Sequence, residues 1–263
     1  MPTVEARGVE IAWSERGEGQ PVLLVHETAA NASVWDAVSE ELAARSRAIS
    51  YDRRGWGASS APDGYRRTTV EEQSEDAVAL LESAGAAPAV VVGAGIGAML
   101  ALDLLIRRPD LVAGTVLVEP PVLQLVPMAT EALSGDRRRL ETAAGAGEDV
   151  IDVYLSGGLA ALGAGVSRLP EELTAAARER PASVIAEMGI FAGWRAPLPR
   201  LATAERASAI VTAPSTPPLL RDASAALTAR LAGASAHEVD SGAAPAHVGA
   251  PAEVAALALE ISP

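Results

Sequence analysis

Apolar and polar positions alternate over Val9-Glu10-Ile11-Ala12-Trp13, the period-two pattern of a half-exposed antiparallel strand, and the turn Arg16-Gly17-Glu18-Gly19 follows. The next run, Pro21-Val22-Leu23-Leu24-Val25-His26, is apolar almost throughout, as in a strand buried on both faces of a parallel sheet. Helical spacing from Val34 to Ala44, a strand over Arg47-Ala48-Ile49-Ser50-Tyr51-Asp52 and helical spacing from Val70 to Ser83 come next. An apolar strand at Ala89-Val90-Val91-Val92, a helix from Ile96 to Arg107 and a strand at Thr115-Val116-Leu117-Val118-Glu119 continue the series. Strand and helix take turns, which predicts an α/β chain with an open, mostly parallel sheet and helices on both faces.

From Pro120 to about Glu205 the alternation stops. Helical patches at Glu131–Thr142, Glu171–Arg180 and Ala182–Ile190 are separated by Pro and Gly, and the pattern predicts a helical cap inserted at about 121–205 into a single domain spanning 1–263. The sheet pattern resumes at Ala209-Ile210-Val211-Thr212-Ala213. It passes through a helix at Leu219–Leu231 and a strand at Ala236–Asp240, and ends in a helix from Ala252 to Glu260.

Composition narrows the chemistry. At 263 residues and 49% hydrophobic content the chain can bury one sizeable core, and its net charge of −13 argues against nucleic acid or an anionic membrane as partner. No apolar run approaches a membrane span and the start Met1-Pro2-Thr3-Val4-Glu5 lacks a signal-peptide pattern, so a cytoplasmic protein is expected. With no cysteine and no lysine, thiolate catalysis, cysteine metal sites, Schiff bases and covalent pyridoxal phosphate are excluded. The expected partner is a small-molecule substrate, with no metal and no cofactor, and a homodimer stays open.

The centre of the chain carries Gly93-Ala94-Gly95-Ile96-Gly97 between an apolar strand and a helix start. Around it stand the strand ending at His26, the segment Tyr51-Asp52-Arg53-Arg54-Gly55-Trp56-Gly57-Ala58-Ser59, the run Arg108-Pro109-Asp110-Leu111-Val112 and Glu119-Pro120-Pro121. In this order the set resembles the α/β-hydrolase superfamily, in particular its small esterase and epoxide-hydrolase-like members. The resemblance implies an α/β-hydrolase fold: a mostly parallel sheet, helices on both faces and a helical cap. It also implies a serine or aspartate nucleophile in a G-x-S-x-G elbow, a histidine base, an acidic orienter and backbone N–H groups as oxyanion hole.

Against that pattern, Gly95 stands at the nucleophile position. The histidine position, counted back from Pro251, falls on Ala244, with His247 three residues further on, and Ala213-Pro214-Ser215-Thr216-Pro217-Pro218 has no carboxylate for the acid. The triad therefore reads as degenerate. Relatives carry His-Gly after the third strand where this chain has His26-Glu27-Thr28, which puts a carboxylate at the pocket. Glu27 is the candidate general acid or base and His26 its candidate partner. Candidate substrate contacts are Thr28, Trp35, Gly95, Ile96, Glu119, Phe191, Trp194 and His247. Asp52 is expected to fix the turn after it, Arg53 and Arg54 to meet substrate or pair at the surface, and His237 to be exposed.

A second motif overlaps the first. Gly93-x-Gly95-x-x-Ala98, with Glu119 at the end of the next strand, also matches a dinucleotide-binding fingerprint. The favoured reading is a cofactor-independent, non-hydrolytic enzyme, a cyclase, lyase or isomerase of a small apolar secondary metabolite such as a polyketide. The alternatives are a non-catalytic ligand-binding pseudo-hydrolase, an epoxide or ester hydrolase with a rearranged site, and a dinucleotide-binding protein.

Overall fold

The computed structural model describes residues 1–157, 159–162 and 166–261. Strands β1 (Thr3–Ala6), β2 (Val9–Arg16), β3 (Gln20–Val25), β4 (Ser46–Tyr51), β5 (Ala89–Ala94), β6 (Val112–Val118), β7 (Ser208–Thr212) and β8 (Ala234–Glu238) form one sheet. Its order is β1-β2-β4-β3-β5-β6-β7-β8. β1 and β2 pair antiparallel, β2 meets β4 antiparallel, and β4, β3, β5, β6, β7 and β8 pair parallel.

Helices α1 (Asp36–Leu42), α2 (Val70–Ser83) and α3 (Ile96–Arg107) lie between the early strands. Between β6 and β7 run α4 (Ala129–Gly145), α5 (Val150–Leu155), α6 (Glu171–Glu179), α7 (Pro181–Met188), α8 (Ile190–Gly193) and α9 (Leu198–Leu201). Then come α10 (Pro218–Thr228), α11 (Ala246–Gly249) and α12 (Pro251–Ile261). Among the described residues no helix is long and apolar enough to cross a membrane.

The unbroken apolar strands follow from coverage on both sides. Along β3, Leu23 and Val25 join one core cluster with α2 and α3, while Val22 and Leu24 join another with α1 and α12. Period-two side-chain alternation thus feeds two cores from one strand, and neither face can be polar.

Three local readings change. β1 was hidden because its burial pattern leaves only Ala6 fully inside. The helix expected from Val34 starts instead as a 3₁₀ turn, Ala32–Trp35, where Asn31 accepts from the Ser33 N–H, and continues as α1. The loop after β8, broken by Pro245 and Gly249 in sequence, contains the short helix α11, and that turn carries His247.

Candidate active site

The carboxyl ends of β3, β5 and β6 converge, the edge where ligands bind in open parallel sheets. Gly95 follows β5 at φ 52°, ψ −121° and opens α3, so the sharp strand-to-helix turn is present at that position. Left-handed angles of this kind suit glycine, and here a second reason applies. A Cβ built on Gly95 would lie 2.9 Å from Cβ of Glu27, closer than real side chains approach. Glu27 therefore occupies the volume into which a side chain at position 95 would project.

The Glu27 side chain runs along this space to His247, with Oε1 3.0 Å from Nε2 of the imidazole. Both groups are buried. Oε2 of Glu27 has no hydrogen-bond partner among the described residues, and neither ring nitrogen of His247 makes a bond of hydrogen-bonding geometry. Burial pushes the Glu27 carboxyl up; the charge of His247, with Arg53 farther off, outweighs it and holds the carboxyl below the ordinary range. Trp35 backs the imidazole, its ring centroid 4.7 Å away, so this tryptophan packs on His247 instead of lining the cavity.

His26 is not brought to Glu27's carboxylate. Its Nε2 accepts from the Arg53 N–H at 3.0 Å, so Nδ1 carries the proton and donates to the Glu27 carbonyl at 2.7 Å. Both nitrogens are spent on holding the loop. Burial, reinforced by the Arg53 charge, holds the imidazole well below its ordinary pKa and therefore neutral.

Arg53 and Arg54 neither reach the cavity nor pair at the surface. Both side chains are 1% exposed. Arg54 makes a two-point contact with Asp76, and Arg53 meets Glu187 of α7 and Gln73 of α2. Glu187 also accepts from Trp56 Nε1 at 2.9 Å and from Thr28 Oγ1 at 2.6 Å. A cap carboxylate thereby ties α7 to the loop that presents Glu27. Asp52 accepts from the Ala32 and Ala58 N–H groups and so fixes the turn that follows it.

Glu119 sits at the end of β6 at φ 49°, unusual for a residue with a side chain. Both its oxygens accept from Arg168 Nη1 at 2.7 Å, and Thr216 Oγ1 donates to Oε1 at 2.7 Å. Arg168, in the 3₁₀ turn Val166–Arg168 of the cap, also reaches Ser215 Oγ and the carbonyls of Ala243 and Ala244. The Glu119 carboxylate is thus engaged by protein donors on both oxygens.

These groups enclose a narrow cavity of about 50 Å³. Glu27, Thr28, Gly95, Ile96, Glu119, Phe191 and His247 line it; Trp194 is buried in the core without reaching it. The cap adds Tyr154 from α5, whose buried hydroxyl has no hydrogen-bond partner among the described residues. Tyr154, Arg168 and Glu187 were not singled out from sequence, since each lies in the cap at a spacing that identifies no partner. His237 on β8 is half-buried and pairs with Ser235. No cluster of three or more potential metal ligands occurs among the described residues.

Residues 22–257 match the model of the alpha/beta hydrolase family. The chain is 36% identical over 124 residues to the uncharacterized hydrolase YraK of Bacillus subtilis, covering 47% of this chain and 46% of that protein. It is 28% identical over 147 residues to a 2-(acetamidomethylene)succinate hydrolase of Mesorhizobium japonicum, covering 54% and 50%. The chain thus spans about half the length of the curated relatives it matches. Among solved structures, a thermophilic esterase from Thermogutta terrifontis aligns with a TM-score of 0.74 at 20% identity, over 98% of this chain and 96% of that one. Est816, described as an N-acyl homoserine lactone degrading enzyme, aligns at 0.72 and 21% identity over 98% and 99%. At these identities the structures establish the fold.

Proposed function

Because the chain belongs to the alpha/beta hydrolase family, we propose that it is a hydrolase with a rearranged site, in which Glu27 and His247 activate water against a small neutral ester or epoxide. On this reading the triad is degenerate: Gly95 offers no attacking oxygen and Ala244 holds the histidine position. The observation that carries the proposal is the 3.0 Å contact between Glu27 Oε1 and His247 Nε2 in the cavity that Gly95 also lines. Curated relatives with hydrolase names support hydrolysis over the other chemistries.

Water held at the unpartnered Oε2 of Glu27 gives up a proton to the Glu27–His247 pair as its oxygen bonds to the electrophilic carbon. The pair then returns the proton to the leaving oxygen, so protons balance over the cycle. In this proposal the Tyr154 hydroxyl, which lines the cavity without a hydrogen-bond partner among the described residues, donates to the substrate oxygen as charge builds on it. Burial pushes the Tyr154 hydroxyl up, keeping it a donor at neutral pH. With Arg168 bound to Glu119, no free cation lines the cavity among the described residues, and a neutral substrate fits best.

Hydrolysis of p-nitrophenyl acetate and styrene oxide in ¹⁸O-labelled water tests this. The wild-type product should carry the label, and Glu27→Gln should lower turnover by about 10²–10⁴-fold while leaving affinity within a few-fold. Undiminished turnover in that variant would end the proposal.

The absent oxygen at position 95 favours a second reading, in which the same pair moves a substrate proton in a cyclisation, elimination or isomerisation. Turnover without label in the product would select it. Drug-sized ligands occupy cavities of roughly 300–1,000 Å³. A polyketide would therefore require the cap to open well beyond the 50 Å³ seen here.

A further inference from the structure

We propose that Arg168 is a positioning residue for the Glu27–His247 pair: an arginine delivered by the cap that neutralises Glu119 and so keeps a second bare carboxylate out of the reactive cavity. The assignment rests on Glu27 and His247 being the reactive pair. Glu119 and Glu27 line the same cavity, and both are buried. Like charges sharing an apolar site oppose each other's ionisation and favour a protonated imidazole beside them.

Glu119 is held in a strained backbone conformation, with Thr216 as its other hydrogen-bond donor. The Arg168 side chain, 11% exposed, makes the charge-assisted contact and is itself anchored on Ser215, Ala243 and Ala244. One guanidinium thus joins the end of β6, the loop after β7 and the loop before α11. That last loop leads directly into α11, the turn that carries His247. An arginine bonded to four different partners around one carboxylate is more than a surface pair.

The charges around His247 can be enumerated. Glu27 contacts it from the loop after β3, Tyr154 and Glu119 line the same cavity, Arg168 pairs with Glu119, and Trp35 backs the ring. Behind Glu27, Arg53 is balanced by Glu187. The Arg168–Glu119 pair is therefore the charge balance that a single substitution would upset without touching Glu27 or His247.

The pH at which the His247 imidazole titrates, followed by ¹H–¹³C NMR, reads this out without any substrate. The chain has three histidines, and a His247→Gln spectrum assigns the relevant signal. Arg168→Gln should raise the midpoint by about one pH unit or more. Arg168→Lys should move it much less, and Arg168→Gln with Glu119→Gln should bring it back to the wild-type value. Should Arg168→Gln fail to fold, Glu119→Gln alone leaves the arginine unbalanced and should lower the midpoint. Wild-type midpoints in every folded member of the set would overturn the inference. Absence of hydrolysis by the wild type would instead sink the reactive-pair reading, and the two failures are seen in different experiments.

Discussion

Gly95 and Glu27 compete for one volume, and the chain has settled the competition in favour of the carboxylate. Placing a serine at position 95 should therefore be harmful. Gly95→Ser places a side chain at φ 52° against Glu27 Cβ and should cost about 1–3 kcal/mol in urea unfolding. The double variant Gly95→Ser with Glu27→Gly should recover most of that loss, and equal stability of the single and double variants would contradict the steric account. His26 supplies a second expectation. Its imidazole stays neutral in the fold well below the ordinary value of 6.5, whereas the unfolded chain protonates near that value. The unfolded state then binds the extra proton, so stability should fall as pH drops below 6.5, by up to about 1.4 kcal/mol per unit. His26→Asn should be less stable at neutral pH and show a flatter slope between pH 6.5 and 5. Glu27 was visible in the sequence because it breaks a His-Gly pattern. Its neighbour His26 is the partner that sequence suggests and His247 the one the fold brings to it, since adjacency along a chain says nothing about where an imidazole points.

Glu187 shows how an element is held in place. Helix α7 drives this carboxylate into the sheet domain, where Arg53, Gln73, Trp56 and Thr28 surround it. Replacing one partner of a buried ion pair strands the other, so Glu187→Met should destabilise by about 3–5 kcal/mol and speed amide exchange in α7 and in the 26–28 loop. Protection unchanged in both segments would show that α7 is held by apolar packing alone. None of this was legible from sequence, where Arg53 and Arg54 read as surface or substrate groups. Their acidic partners lie on α2 and on a cap helix over a hundred residues away, and no periodicity links such positions. α11 was likewise invisible, because a single turn between Pro245 and Gly249 has the composition of a loop.

Taken as a whole, the molecule was most readable where physics is repetitive. Strands buried on both faces must be apolar throughout, and helices covering them must carry one apolar stripe, so the parallel sheet and its order of elements could be read from Val22–Val25 and Val90–Val92 onward. The cap obeys no such rule. Its helices are located by contacts such as Arg168 to Glu119 and Tyr154 to the cavity, each of which joins distant parts of the chain.

The shared space at positions 27 and 95 also bears on how such a site could arise. In a lineage starting from glycine at 27 and serine at 95, acquiring the glutamate first would produce a crowded and poorly folding ancestor. Losing the serine first opens a vacancy that the glutamate can later enter. Descent by single steps therefore favours an inactive ancestor with glycine at both places, in which the old chemistry had ended before the new group arrived.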